Sequence, residues 1–384
     1  MNRICIIEPH LTDYSHPVFL ELAEYCNVDI VVSPTPPAEG FGTSEPLKSS
    51  KVRYFVVPRL TPFGKKIGLI QWGVGRYIVR ERPDVILTFS NPRYVSFWIT
   101  LFLGRLLRIP IFAYGHGLFK KRRIGVLHRL VVTAVLRLVQ SYICYAPIVR
   151  QSFIDHGFSD RKLSVVHNSL INRFPVYPEE KTGKECGILF VGRIRPGSGL
   201  ELLIRVIDRV RHDAGLSLSL HLIGSGEETE RVQQKAHGAS WVILHGEVYN
   251  QEEIRRISLE CFAGCHPGNA GLSVVHMLSL SLPVVTHDDL SSHGPEPSFL
   301  HHGVDAVLYD HANAEESLYR AICLLASDRI KLSTMQHAAF DAYKNLVNPP
   351  LAARFWSILS GGEEFISAAV ESNGLEIEKL GTQE

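Results

Sequence analysis

Short apolar runs recur along this chain. RICII, VDIVV, VRYFVV, DVILTF, IPIFAYG, SYICYA and LSVV fill its first half, with helical stretches such as VFLELAEYC and a helix expected near 66–80 between them. Strands so continuously apolar must be buried on both faces, which is the situation of a parallel sheet covered by helices and not of an antiparallel sheet with one wet side. The class that follows is α/β. A polar stretch at 172–185, NRFPVYPEEKTGKE, breaks the rhythm with two prolines, a glycine and mixed charge. Beyond it the grammar restarts: GILFV, a helix from about 199 to 212, LSLHLI, a helix near 227–237, WVILHG, a helix near 251–261, FAGC, a helix near 271–281, LPVVTHD and DAVLYD. At 384 residues the chain exceeds what one core usually organises. The expected division is a first domain over 1–172, a linker over 173–185, a second domain over 186–345, and a C-terminal helix and tail over 346–384.

Composition excludes several classes. With 40 basic and 39 acidic residues the net charge is +1, so no global charge favours nucleic acid. Seven scattered cysteines, mostly inside apolar runs, read as reduced and buried, and the Cys261/Cys265 pair lacks the second pair a zinc site would need. The N-terminus runs into a strand-like segment without the apolar core and cleavage site of a secretory signal, which predicts a cytoplasmic protein. The most apolar window, 95–114, is interrupted by Arg105, Arg108 and Pro110, so it reads as a buried helix and a strand and not as a membrane span.

Chemistry concentrates where strands end in glycine-bearing turns. VGRIRPGSGLELLI places Arg193 at the carboxyl end of a strand, where open α/β sheets bind ligands and a guanidinium can clamp a diphosphate bidentately. LIGSGEE repeats the device around Gly224. Neither has the order of a dinucleotide fingerprint, so no nicotinamide cofactor is expected. In CHPGNAGLSVVHMLS, Gly268 and Gly271 feed an apolar helix whose first amides, near Leu272 and Ser273, are oriented to hold a phosphate.

In this order, VGRIRPGSGLELLI, LIGSGEE, HGEV, GNAGLSVVHMLSLSLPVVT and HGPE resemble the C-terminal domain of the family-four class of retaining GT-B glycosyltransferases, and more closely bacterial surface-polysaccharide transferases. The likeness is strong over 185–310 and looser in the first half, where it rests on DYSHPVFLELA, PDVI and YGHGLFKK. It implies two Rossmann-like domains with parallel sheets facing a central cleft. The second would bind a nucleotide-sugar donor and the first a glycan or lipid-linked glycan acceptor, with no separate cofactor and no metal. The resemblance places Arg193 against the donor diphosphate and His116, in AYGHGL, near the reacting sugar; these are the catalytic candidates. Ser198, Gly224, Val248, Asn269, Gly271, Leu272, Ser273, His276 and Glu296 join Arg193 on the donor side, and His10, Asp13, Tyr14 and His16, after the first strand, line the acceptor side.

Three charged residues of the family pattern are missing. Its lysine falls on Ser198 and its two glutamates on Gly268 and His276. The retained Arg193, Gly271, Pro295 and Glu296 favour an active variant in which His276 hydrogen-bonds to hydroxyls or, if protonated, meets phosphate; the alternative is a noncatalytic nucleotide-sugar-binding or scaffolding subunit. A GT-B epimerase or phosphorylase fits less well, since no further carboxylate pair or cofactor lysine is evident. Retention would proceed by same-face displacement without a protein nucleophile. The stretch 120–143 opens with four cations and continues as an apolar helix, which allows a peripheral contact with an anionic membrane. His287, His293, His301 and His302 lack ligand spacing, and no metal is expected.

Overall fold

The computed structural model describes residues 1–12, 14–34, 50–61 and 68–362. The chain divides into two compact units, Met1–Asn168 with a C-terminal return from Pro349, and Ser169–Asn348.

In the first unit the chain runs β1 (Arg3–Ile7), α1 (His16–Leu22), β2 (Asn27–Val32), β3 (Val52–Val56), β4 (Arg59–Leu60), β5 (Ile70–Gln71), α2 (Val74–Glu81), β6 (Val85–Phe89), α3 (Val95–Leu107), β7 (Ile111–Gly115), α4 (Val126–Leu138), β8 (Ser141–Cys144), α5 (Pro147–Asp155) and β9 (Leu163–Val165). Seven strands form one parallel sheet in the order β3-β2-β1-β6-β7-β8-β9. The expected helix near 66–80 starts later, at Val74. Ile70–Gln71 pairs antiparallel with Arg59–Leu60, and Gly73, at φ +118°, makes the turn into the helix. The one buried charged residue within the strands of this sheet, Asp29 of β2, is fully partnered: Arg53 donates from Nε at 2.7 Å and Nη2 at 2.6 Å, and the Tyr77 hydroxyl donates at 2.5 Å.

The second unit runs β10 (Gly187–Val191), α6 (Leu200–Asp213), β11 (Ser219–Ile223), α7 (Thr229–Lys235), β12 (Val242–Gly246), α8 (Gln251–Ser258), β13 (Cys261–Cys265), α9 (Ser273–Ser279), β14 (Val284–His287), β15 (Ala306–Tyr309), α10 (Ala314–Ser327) and α11 (Arg329–Val347). Its six-stranded parallel sheet has the order β12-β11-β10-β13-β14-β15. Helix α6 buries Leu200, Leu203, Ile204, Val206, Ile207 and Val210, the one-sided spacing of an amphipathic helix; each contributes about 1.5–3 kcal/mol on burial. Helix α8 begins where the Asn250 side chain accepts from the amides of Glu252 and Glu253, a cap of about 1 kcal/mol.

The stretch 172–185, expected as a linker, packs onto this second unit. Val176 is fully buried, Asn172 donates to Ser279 Oγ at 2.8 Å, and the Lys181 ammonium donates to the carbonyls of Ser258 (2.8 Å) and Cys261 (3.1 Å). The chain passes between units at Asn168/Ser169 instead. It returns as α12 (Leu351–Ser360), whose Leu351, Ala352, Phe355, Ile358 and Leu359 join the core over β1, β2 and α1 of the first unit. Trp356 stacks on Tyr25, and Arg354 donates to the His167 carbonyl at 2.7 Å. Among the described residues no helix is long and apolar enough to cross a membrane.

Candidate functional site

In an open parallel sheet the crevice lies at the carboxyl ends of the strands where the strand order reverses. In the second unit this point falls between β10 and β13, so the loops 192–199 and 266–272 meet there. Each is held by the other. Asn269 N–H donates to the Gly197 carbonyl at 3.0 Å, and Gly268 approaches that carbonyl so closely that a Cβ built on it would lie inside the oxygen's van der Waals shell. The loop after β11 joins them: Gly224, at φ +131°, presses against the Gly192 carbonyl in the same way. These glycines are required by backbone packing between loops. At Gly268, the position that the resemblance sets against the family's first glutamate, no side chain fits.

Further contacts fix the 266–272 loop from beneath. Tyr309 Oη donates to the Pro267 carbonyl at 3.0 Å, Thr286 Oγ1 donates to the His266 carbonyl at 2.8 Å, and the Ala270 amide donates to His293 Nδ1 at 3.1 Å. The other nitrogen of His293 lies 3.0 Å from the His287 carbonyl, so its tautomer is set, with Nε2 protonated. Glu296 is buried beside the same loop; a side chain on Gly294 would meet its Oε2 at 2.8 Å, and one on Gly271 at 3.6 Å. The structure thus brings Gly271, Asn269 and Glu296 together with the Arg193 loop, a pre-ordered wall that costs little to organise when a ligand arrives.

Two guanidiniums rise from the 192–199 loop. Arg193 lies half-buried along Gly226 and meets Glu227 at 3.4 Å, an exposed pair worth under about 1 kcal/mol. Arg195 is exposed and close enough to help hold the buried His266 neutral; burial is the larger cause, and together with His293 and Arg195 it pushes His266 down to about 3. Ser198, which the resemblance sets against the family's lysine, is buried under the loop. Sequence reasoning passed over Arg195 and His266, although GRIRP and CHPG display both. Val248 is half-buried against the core, and Leu272 and Ser273 open α9.

His276 is neutral. Burial alone pushes it down to about 4, and its Nε2 is sealed from solvent with no hydrogen-bond partner among the described residues. Without a ligand, burial holds the ring in its neutral form, which can hydrogen-bond but brings no charge to the site. An unfolded histidine titrates near its ordinary 6.5, so between that value and about 4 the unfolded chain holds the extra proton. Stability from this residue is complete above pH 6.5 and lost as pH falls toward 4. His276→Gln is expected to flatten the pH dependence of unfolding free energy by about 1.4 kcal/mol per unit between about pH 6 and pH 5, measured by urea titration. An unchanged slope would mean that the ring is already charged or solvated in the folded protein.

In the first unit the reversal lies between β1 and β6. His10 and the half-exposed Tyr14 follow β1, Asp13 lies outside the described residues, and His16 is buried with Nε2 2.7 Å from the Tyr54 hydroxyl, so it faces the core and not an acceptor. One position sequence reasoning missed is Glu8, a buried carboxyl at the end of β1 that burial holds well above the usual carboxylate range. His116 follows β7, edge-on to Tyr145 at 4.9 Å, on the rim of a cavity of about 490 Å³. Crowding, then the Lys120 ammonium, pushes it down to about 4. Solvent still reaches this ring, so its neutrality at pH 7, more than the size of the shift, is what bears on function.

Of the remaining histidines, His301 meets Asp305 at 2.9 Å and His302 Nδ1 accepts from the Leu308 amide at 3.0 Å; among the described residues no three His, Cys, Asp or Glu side chains converge as metal ligands.

Two family models match successive parts of the chain, Glycosyltransferase Family 4 over residues 20–170 and Glycosyl transferases group 1 over residues 185–328. The chain belongs to the GT-B glycosyltransferases. Solved structures share the fold at low identity. HepE of Anabaena, in complex with UDP-glucose, is 15% identical with TM-score 0.68, over 94% of this chain and all of that one. The lipopolysaccharide outer core galactosyltransferase WaaB is 14% identical with TM-score 0.60, over 90% of this chain and 99% of that one. The pneumococcal O-GlcNAc transferase GtfA, bound to UDP and GlcNAc, is 9% identical with TM-score 0.67, over 94% and 99%. No curated protein sequence matches the chain significantly.

Proposed function

We propose that this glycosyltransferase moves a sugar from a uridine diphosphate donor to a glycan or lipid-linked glycan, with retention at the anomeric carbon, in the synthesis of a polysaccharide or glycolipid. The observation that carries the reading is the switch point of the second sheet, where Arg193 and Arg195 stand over a rigid glycine loop backed by Glu296. Two guanidiniums compensate for the missing lysine by neutralising the diphosphate as it departs. His276, half-buried on α9, is the residue that would hydrogen-bond to a donor hydroxyl, in the role the family gives to a glutamate; its Nε2 is shielded without a ligand, so the ring must turn to reach the donor. Gly224, Val248, Asn269, Gly271, Leu272 and Ser273 form the surrounding contact surface, with Ser198 beneath it.

No protein nucleophile takes part. The departing phosphate oxygen takes the proton of the attacking acceptor hydroxyl on the same face, and the protein contributes positioning and charge. His116, neutral and open to solvent, contacts the reacting sugar as a hydrogen-bonding group, with His10 and Tyr14 on the acceptor side of the first unit. The UDP-glucose bound by HepE and the UDP bound by GtfA make uridine nucleotides the first to test. The enzyme would work in the cytoplasm, in peripheral contact with an anionic membrane.

A thermal-shift screen against UDP-, GDP-, ADP-, CMP- and dTDP-sugars tests the donor. Stabilisation by the uridine class alone is expected, about 2.7 kcal/mol at a hundred times the dissociation constant, because the ligand binds only the folded state. A flat response to every nucleotide sugar would instead support a noncatalytic scaffold.

A further inference from the structure

Arg53 has Asp29 as its acid partner, Arg209 has Glu316 and Arg255 has Glu180. Three arginines that share one spot have none. Arg105 and Arg108 at the end of α3 and Arg137 in the last turn of α4 line a cavity of about 450 Å³, and among the described residues their side chains make no hydrogen bond or ion pair. The local sequence offers them no acid, since between residues 85 and 154 there are ten arginines and lysines and no aspartate or glutamate. The cavity lies at the amino-terminal ends of β7 and β8, at the opposite end of the sheet from the crevice described above. Its floor is apolar and closed: Ile109, Ile111 and Val139 are buried, and a side chain on Gly104 would strike Ile111, so α3 lies hard against β7.

Cations at the ends of helices commonly answer the last carbonyls. Here other groups do so. The Lys162 ammonium donates to the carbonyls of Leu136 at 3.0 Å and Val139 at 2.8 Å at the end of α4. At the end of α3 the amides of Arg108 and Ile109 turn back to the carbonyls of Arg105 and Gly104, at 3.4 and 2.8 Å. The three guanidiniums are left over. Arg108 even takes φ +58°, the left-handed conformation in which glycine usually ends a helix, and so brings a cation to a place where none is needed for the fold.

Three like charges around one hollow repel each other until an anion joins them. A carboxylate answers one guanidinium. A phosphate or diphosphate offers several oxygens, in the geometry that a guanidinium fork grips bidentately, and a charge close to theirs. The volume lies within the range of small-molecule sites, and the apolar floor and the exposed Gln140 amide leave room for an organic group beside the phosphate.

We propose that this hollow at the base of the first sheet binds a soluble small molecule bearing a phosphate or diphosphate. The five residues of β7, roughly 16 Å of strand, separate it from the crevice, so its occupant does not compete with either substrate. The inference stands without the transferase reading, because it needs neither a donor nor turnover.

Isothermal titration of the full chain with inorganic diphosphate tests it, with Arg193→Ala marking any diphosphate held at the donor loops. Arg105→Gln with Arg137→Gln is expected to weaken one diphosphate site at least tenfold, more at low salt, and to leave untouched the site that Arg193→Ala removes. Both side chains are exposed and unpaired, so the double variant keeps wild-type melting in calorimetry. Sulfate is expected to bind the hollow at least tenfold more weakly than diphosphate. A diphosphate isotherm that the double variant leaves unchanged overturns the proposal, and sulfate binding as tight as diphosphate does so too, as an adventitious ion only. The third contrary result concerns membranes, because Leu106 beside Arg105 is 77% exposed. Sedimentation with phosphatidylglycerol vesicles that the double variant abolishes, while diphosphate fails to bind in solution, assigns the arginines to a lipid surface and overturns the soluble ligand. Loss of the Arg193-dependent site alone would count against the donor assignment and leave this one standing.

Discussion

Gly268→Glu, which restores the carboxylate that the family pattern carries, is expected to damage the protein and not to improve it. A Cβ at this position would lie inside the shell of the Gly197 carbonyl oxygen and against the Ser198 backbone, so one of the two interlocked loops must move. Neither can move cheaply. The 266–272 loop is tied to Tyr309, Thr286 and His293, and the 192–199 loop to the Gly224 and Gly226 backbone. Overpacking against backbone in so constrained a place costs about 3 kcal/mol or more, which lowers the melting temperature of a unit of this size by roughly 6–12 °C. Differential scanning calorimetry reads this directly. A variant with wild-type melting and higher transferase turnover would show that the loops are not interlocked as described, and that a carboxylate had simply been lost.

Arg193→Ala is expected to leave folding almost unchanged and to lower kcat/KM by about 100- to 1,000-fold, the usual consequence of removing one preorganised group that meets charge developing on a leaving group. Its ion pair with the exposed Glu227 contributes little to stability. Arg193→Lys should recover a part, because an ammonium supplies charge without the bidentate fork. Arg195→Ala should then cost more in the Arg193→Lys background than in the wild type, since the two cations share one anion. Steady-state rates with the donor found by thermal shift decide the matter; an Arg193→Ala enzyme within twofold of wild type would remove this residue from catalysis.

The sheets were legible because their strands are apolar on both faces, and a run such as GILFV has few other uses. The stretch 172–185 misled because its prolines, glycine and mixed charge were read as a linker between domains. Lys181 spends its charge on two backbone carbonyls inside the fold, and nothing in residue type distinguishes that from a lysine in water. His16 misled for a related reason. It follows the first strand, where ligand-contacting residues gather, yet it is also the first residue of α1, and the helix turns it inward to Tyr54. The place of Arg193 just after a strand was legible from GILFVGR. Arg195 and the strict need for Gly268 were not, because both depend on how two loops about 70 residues apart in sequence close on each other.

The return of α12 to the first unit has a consequence for how the protein comes into being. The second unit is spliced into the first, entered at Ser169 and left at Asn348. A chain emerging N-terminus first therefore completes its inserted unit before the outer one, whose apolar bed over β1, β2 and α1 waits for Leu351, Phe355 and Leu359. Until those residues appear the nascent protein presents greasy surface to chaperones. A stop codon near residue 348 would spare every residue of the donor site and still leave an aggregating product.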